Sequence, residues 1–361
     1  MSVSVPKRYI YSAADMQKFR QSPARQELLA FAASLGRSCQ DQQDDDGYDP
    51  DTPLAGLSAA MASLFGSLRA MERWVDEIPP DEVRARFGNP AFKKWHARLV
   101  ERSEAIVSSI LDWHDKSQST ATSEQLEEAS AAGFIAASSS SSITSVDHTQ
   151  QHGRMQIVEE LKAYLNDAFG HPIRIDYGTG HECSFLVFLY SLGKIGCLGT
   201  DPRSPACLRP IALSIFSQYL KVTRGVQTTY ILEPAGTHGV WGLDDYHCLP
   251  FYFGACQLIH NQENLTPTSI HDTTVLEQMQ EKYMYFACIR YIRFLKKGVP
   301  FFESSPMLND VSHLPSWEKV SAGLLRLYEG EVLDKLPVVQ HFKFGNIFRG
   351  TCVRAVSTDF L

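Results

Sequence analysis

The chain has 361 residues, 44% of them hydrophobic and 21% charged, enough apolar material for one large core or two packed halves and too much for disorder throughout. Its 34 Lys and Arg against 41 Asp and Glu leave a formal net charge of −7, which argues against general affinity for nucleic-acid phosphates or anionic membrane and points to protein or small-molecule partners. No apolar run approaches the roughly 20 residues that span a bilayer, the start MSVSVPKRYIYSAADM has no basic segment followed by an apolar one, and the eight cysteines form no C-x-x-C pair, so an intracellular chain, cytoplasmic or nuclear, with reduced thiols is expected.

In chain order, the acidic DQQDDDGYDPD at 41–51 reads as a solvated loop between helices. Leu57, Met61, Leu64, Leu68, Met71 and Val75 then recur at spacings of four and three, the stripe of a buried helix face. Asn89 caps and Pro90 starts the next helix, whose stripe runs Phe92, Trp95, Leu99, Ile106, Ile110 and Trp113. Residues 117–150, with SQSTATSEQ and the serine run 138–142, have a composition that buries too little apolar surface to order itself, and read as a linker or insertion. It divides a helical N-terminal part, 1–116, from a Gly-rich and aromatic-rich part, 151–348, with 349–361 as a tail. Ile211, Ile215, Tyr219, Val222 and Val226 mark another helix, and 183–192, 276–295 and 318–336 are helical by pattern, the last ended by Pro337. Sustained strand alternation appears nowhere, so the expected fold is all-α with loops carrying the chemistry.

Three segments stand out. RIDYGTGHE at 174–182 opens directly into the apolar run CSFLVFLYSL. Gly178 and Gly180 let backbone approach a ligand, the first N–H groups of the following helix favour an anion, and Arg174 adds a charge; the plainer reading is a tight turn admitting a helix into the core. A G-x-G-x-x-G reading fits only in part, because HPIRID is too short and polar for a buried parallel strand, and no Lys-Ser/Thr follows as a P-loop requires. EPAGTHGVWGLDDYHCLPF at 233–251 lies between two helices and offers Glu233, Asp244 and Asp245 as oxygen donors; Asp245 with a glycine carbonyl suits Mg²⁺, while the plainer reading has both Asp capping the next helix and Trp241 plugging the core. In PVVQHFKFG at 337–345, Gln340 and His341 sit among apolar residues, a context in which a lone His is more often a satisfied core residue. Among the 12 histidines His148 and His152 stand as H-x-x-x-H at the edge of the stretch read as linker, none stands in H-E-x-x-H for zinc, and no Ser lies in G-x-S-x-G.

Together these segments resemble the phosphotyrosyl phosphatase activator (PTPA) family, also described as type 2A phosphatase activator and peptidyl-prolyl isomerase. The resemblance rests on RIDYGTGHE, TYILEPAGTHGVWGLDDYHCLPF, the 305–317 segment with SPML and LPSW, and LPVVQHFKFG at 336–345, and extends weakly through RFGNPAFKKWHARL at 86–99 to the N-terminal PKRYIYSAADMQKF. It implies an all-helical fold of core, lid and linker subdomains, with an ATP pocket lined by Arg174, Thr179, Gly180, Gln340, His341 and Phe342, and Mg²⁺ held at Gly239 and Asp245. It also implies a surface of Val240, Glu303, Gly323 and Leu327 that faces the catalytic subunit of type 2A protein phosphatases. Ser304 stands where the family pattern has His, and Cys248 replaces a bulkier aromatic.

The expected function is thus a chaperone-like activator of that catalytic subunit, acting with ATP-Mg²⁺ and isomerising X-Pro bonds of a bound segment. Isomerisation needs no nucleophile, since it rotates an amide past a barrier of about 18–20 kcal/mol, and only requires that the twisted amide be bound better than the planar one. Trp241, His238 and Tyr246 are the groove candidates for that task. A non-catalytic phosphatase-binding scaffold and an independent nucleotide-dependent enzyme are the alternatives.

Overall fold

Three serines start the N-terminal helices: the hydroxyls of Ser12, Ser22 and Ser58 accept the N–H groups of Asp15, Arg25 and Met61, satisfying donors that a helix start leaves open. They set α1 (Ala13–Arg20), α2 (Pro23–Ser38) and α3 (Ala59–Glu77). This computed structural model describes residues 5–40, 55–82, 87–131, 143–199, 201–236 and 242–349, with side chains described outside 118–131 and 143–150. The acidic segment 41–51 therefore lies outside the described residues.

Along α3 the expected stripe holds, with Met61, Leu64, Leu68 and Met71 fully buried. Asn89 Oδ1 accepts the N–H of Ala91 at 3.0 Å, ahead of α4 (Phe92–Ala131). One member of the expected α4 stripe is misplaced: Trp113 is 48% exposed with Lys116 Nζ over its ring, and Val107, Ile110 and Leu111 make the buried face instead. An α-helix turns 3.6 residues, so a stripe read by spacing drifts off the core over several turns. Residues 117–131 and 143–150, expected as linker, are helical, because α4 runs to Ala131 and α5 begins at Ile143 and ends at Asp167. Ala, Gln, Glu and Leu in that stretch favour helix, whereas the serine run falls outside the described residues. The two helices form a hairpin, with Arg154 paired to Asp112 and Asp115, and Lys162 Nζ 2.9 Å from Glu104 Oε2.

The second half builds the interior. α6 (Thr179–Lys194) is apolar on every side and buried from Phe185 to Leu192 apart from its polar ends. After α7 (Pro205–Pro210), a π-turn at Ile211–Ile215 leads into α8 (Phe216–Tyr230), where Ile211, Ile215, Tyr219, Val222 and Val226 are buried as expected. Phe185 stacks on Tyr219 with ring centroids 3.8 Å apart, locking α6 to α8. α9 (Leu249–Gln257) follows, and the run expected as one helix over 276–295 is two, α10 (Thr273–Met279) and α11 (Met284–Leu295). The break is stabilised from elsewhere in the chain, since buried Gln257 accepts the N–H of Met284 at 3.0 Å and donates to the carbonyl of Lys282 at 2.9 Å.

Four more helices follow among the described residues: α12 (Phe301–Ser304), α13 (Pro306–Val311), α14 (Trp317–Tyr328) and α15 (Leu336–Val339). Pro337 does not end the preceding helix. A π-turn at Glu329–Leu333 does that, and Pro337 lies in the first turn of α15, where its missing N–H costs nothing.

The strands are two residues long: β1 (Lys7–Arg8), β2 (Asp176–Tyr177), β3 (Glu233–Pro234) and β4 (Lys343–Phe344). β1 pairs antiparallel with β4, and β2 pairs parallel with β3. The segment HPIRID therefore does lead into a parallel pair, one too short to need an apolar sequence. Residues on both sides of 117–150 join one hydrophobic cluster, and no helix among the described residues is long and apolar enough to cross a membrane. The architecture is all-α, with the two small pairings tying loops to the ends of the chain and to each other.

Candidate functional site

The β2–β3 pair brings two of the marked sequence segments side by side. Ile175 enters β2 with φ 52° and Ile231 precedes β3 with φ 53°, a left-handed backbone that costs a β-branched residue about 1–2 kcal/mol. That cost is offset by the pairing hydrogen bonds, Glu233 N–H to Ile175 O at 2.9 Å and Ala235 N–H to Tyr177 O at 2.8 Å. Gly178 then starts α6 in an extended conformation, and glycine is required by space: an added Cβ would lie 2.6 Å from the Ala235 carbonyl oxygen. No side chain caps α6, so its first turn offers open N–H groups and the positive end of the helix dipole to whatever lies in front.

In front lies a cavity of about 950 Å³. It is lined by Arg8, Arg174, Thr179, Gly180 and His341 together with Asp244, Asp245, Met307 and Leu327. Arg174 Nε is 2.6 Å from Asp176 Oδ2, while the other oxygen, Asp176 Oδ1, is buried without a hydrogen-bond partner. His181 donates from Nδ1 to the carbonyl of Asp167 at 2.6 Å, which leaves Nε2 as the acceptor. Burial lowers the pKa of His181, His171 and His341, with Arg174 adding to the effect at His171 and Arg8 at His341.

Behind the cavity, a carboxylate fastens the two segments together. Glu182, fully buried on the first turn of α6, accepts with Oε2 from the N–H groups of Cys248 at 2.9 Å and Leu249 at 3.1 Å, and with Oε1 from His247 Nδ1 at 3.0 Å. Gln227 Nε2 donates to His247 Nε2 at 3.2 Å, fixing the ring's orientation. Asp244 Oδ2 accepts from the N–H groups of Tyr246 and His247, at 3.1 and 3.0 Å, so it closes a local turn before α9. Asp245 points elsewhere: its Oδ2 is 3.0 Å from Lys296 Nζ. Away from the cavity, Glu160 of α5 plays the same part, accepting from the N–H groups of Asn346, Ile347 and Phe348. Neither acid stood out by spacing, although for Glu182 its place immediately before CSFLVFLY is a signal that the charge is buried and held.

The remaining expected residues are spread. Gln340 is half-buried and donates to the Pro337 carbonyl at 3.2 Å, and Phe342 is 4% exposed with its ring edge-on to Phe19, so neither side chain lines the cavity. The short α15 turns His341 toward the cavity and its neighbour inward. Glu303 and Gly323 are exposed, and a Cβ at Gly323 would meet open space. Leu327 is half-buried on the cavity wall. Tyr246 donates its hydroxyl to the Leu232 carbonyl at 2.8 Å. His238, Gly239, Val240 and Trp241 lie outside the described residues. Cys248, fully buried, is the residue before α9. Among the described residues no group of three or more His, Cys, Asp or Glu side chains is set to hold a metal by itself.

The arrangement has relatives. A family model described as "Phosphotyrosyl phosphate activator (PTPA) protein" matches residues 6–350. "Serine/threonine-protein phosphatase 2A activator 2" of Eremothecium gossypii is 36% identical over 346 residues, covering 95% of this chain and 82% of that protein. "Serine/threonine-protein phosphatase 2A activator 1" of Schizosaccharomyces pombe is 34% identical over 345 residues, covering 95% of this chain and 90% of its own. The crystal structure of the PP2A phosphatase activator Ypa1 (PTPA1) is similar with a TM-score of 0.73 at 28% identity, covering 96% of each chain.

Proposed function

Because the chain belongs to the phosphotyrosyl phosphate activator family, we propose that it activates the catalytic subunit of type 2A protein phosphatases, using ATP with Mg²⁺ and isomerising an X-Pro bond of the bound partner. The observation that carries this reading is the single cavity into which Arg174, Thr179, Gly180, His341 and Asp245 converge from three separate stretches of sequence.

The chain's own groups fit a nucleotide. The uncapped first turn of α6 supplies N–H groups to a phosphate, Arg174 and Arg8 supply charge, and the volume suits a ligand of that size. Of the carboxylates that line the cavity, Asp245 is the one this reading gives to Mg²⁺, with the rest of the coordination left to phosphates and water, the sparse protein contribution this ion commonly takes. When bound, the nucleotide and its ion would supply polarising charge at the cavity mouth. Glu182 and His247 hold the two walls in register, and Met307 and Leu327 offer the apolar surface that a partner segment would cover.

For isomerisation, Tyr246 would have to give up its bond to Leu232 before acting as a donor to the twisted amide. Reactivation of an inactive type 2A catalytic subunit, measured with ATP-Mg²⁺, with ATP and EDTA, and with neither, tests the activator reading. Equal reactivation in all three would remove the nucleotide from the mechanism. A protease-coupled proline-peptide assay tests the isomerase separately, and a rate equal to the uncatalysed one would leave a binding scaffold.

A further inference from the structure

We infer that Lys296 is the counter-cation of Asp245 that Mg²⁺ must displace, and that this exchange loosens α12, the helix presenting Phe302 and Glu303, by taking away the ammonium that ties it to Asp245. The inference rests on the reading of Asp245 as the metal carboxylate.

Two contacts carry it. Lys296 Nζ is 3.0 Å from Asp245 Oδ2 and at the same time donates to the Ser304 carbonyl at 3.0 Å. Its backbone is fixed as the C-terminal cap of α11, with its N–H on the Ile292 carbonyl, so only the side chain is free to move. Ser304 is the last residue of α12 and is 9% exposed, while Phe302 on the same helix is 60% exposed and Glu303 is exposed beside it. One ammonium therefore ties a cavity carboxylate to the helix that carries an expected partner contact.

The chemistry makes the two cations exclusive. Mg²⁺ holds carboxylate oxygens at about 2.0–2.1 Å and demands near-octahedral space, so an ammonium at contact distance from the same oxygen is both in the way and repelled. The pair is partly buried, with 26% of the Lys296 side chain and 25% of that of Asp245 exposed, and repulsion there is screened less than at an open surface. Once Lys296 leaves, the Ser304 carbonyl loses its charged donor and α12, only four residues long, loses a tether. Linkage makes the effect reciprocal: a partner that draws α12 away also frees Asp245 for the ion.

The test uses Lys296→Met, which keeps the stem and removes the charge, and Lys296→Arg, which keeps the charge, each checked for parent-like circular dichroism. ATP binding is measured by calorimetry in EDTA and across a Mg²⁺ titration, and amide exchange of residues 301–304 is followed with and without Mg²⁺-ATP. For Lys296→Met the Mg²⁺ midpoint should fall about fivefold, the free-energy scale of one partly screened ion pair, with binding in EDTA unchanged. Exchange at 301–304 should be raised before Mg²⁺-ATP is added, whereas in the parent and in Lys296→Arg it should rise only on addition. Weaker ATP binding in both EDTA and Mg²⁺ would make Lys296 a phosphate ligand and overturn the inference, as would an unchanged midpoint with unchanged exchange. Asp245→Asn separates the two levels: if the parent and this variant show the same Mg²⁺ dependence, Asp245 is not the metal carboxylate and the underlying reading falls first.

Discussion

At the scale of single residues, two glycines in one motif answer to different constraints. A methyl group at Gly178 would collide with the Ala235 carbonyl oxygen at 2.6 Å, whereas one at Gly180 would rest 3.5 Å from Val338 Cγ1, an ordinary contact. Gly180→Ala should therefore fold and bind ATP as the parent does, while the branched side chain of Gly180→Val crowds the mouth between α6 and α15 and should weaken binding about tenfold in calorimetry. Equal affinity for the valine variant would place the ligand away from the α6 N-terminus. Glu182 makes a stronger demand. Its removal in Glu182→Ala would strand two backbone N–H groups and the His247 ring in a dry interior, a loss of about 3 kcal/mol or more that thermal unfolding should register. Glu182→Gln, which can still accept from Cys248 and Leu249, should lose less.

At the scale of elements, α5 ends against two histidines from its neighbours. His96 of α4 donates to the Asn166 carbonyl at 3.0 Å and His181 of α6 to that of Asp167 at 2.6 Å, so both satisfy orphan acceptors at the helix C-terminus. Burial is the first cause of a lowered pKa at each. With the folded values below the unfolded one of about 6.5, the unfolded chain takes up protons first as pH falls. Stability from these groups is present above pH ~6.5 and is lost as pH drops through the window beneath it, by up to about 1.4 kcal/mol per pH unit per histidine. Melting temperature should fall between pH 7 and 5.5, and His181→Asn, which keeps a donor near Nδ1 but cannot protonate, should flatten that slope. Much of the element layout was legible in the sequence, because Met61 to Met71 and Ile211 to Val226 mark helices by spacing alone. The gap at 280–283, the π-turn at Glu329–Leu333 and the two-residue strands were not, since each depends on partners distant in the chain. Gln257 supports the gap, and Arg25, paired to Glu329 at 2.8 Å and Asp334 at 2.8 Å, supports the turn. The site followed the same division: the Gly-rich and Asp-rich segments announced themselves, while Glu182 and Lys296 gained meaning only from what they touch.

For the whole molecule, the question is how far 117–150 matters to a core shared by both sides of it. Described members of the hydrophobic cluster reach Leu111 on α4 and resume at Val158 on α5, with Ile157 packed against them. Between those points the hairpin is held by Arg154 on Asp112 and Asp115, and these charged pairs are partly exposed, each worth about 1 kcal/mol or less. The same pairs show that the helices run side by side near residues 115 and 154, so the ends to be joined after removing 118–150 are close. A flexible chain of about six Gly and Ser residues has a root-mean-square span of roughly 13 Å, enough to cross between adjacent helices 8–10 Å apart. The shortened loop would also close at slightly lower entropic cost, about 0.6 kcal/mol for each halving of its length. Replacing 118–150 by such a linker should leave the melting temperature within a few degrees of the parent and ATP binding unchanged, as read by calorimetry and circular dichroism. A larger fall in melting temperature would mean that side chains within 118–150 pack on the body of the molecule. A parent-like melt with lost phosphatase binding would instead assign this stretch to partner recognition.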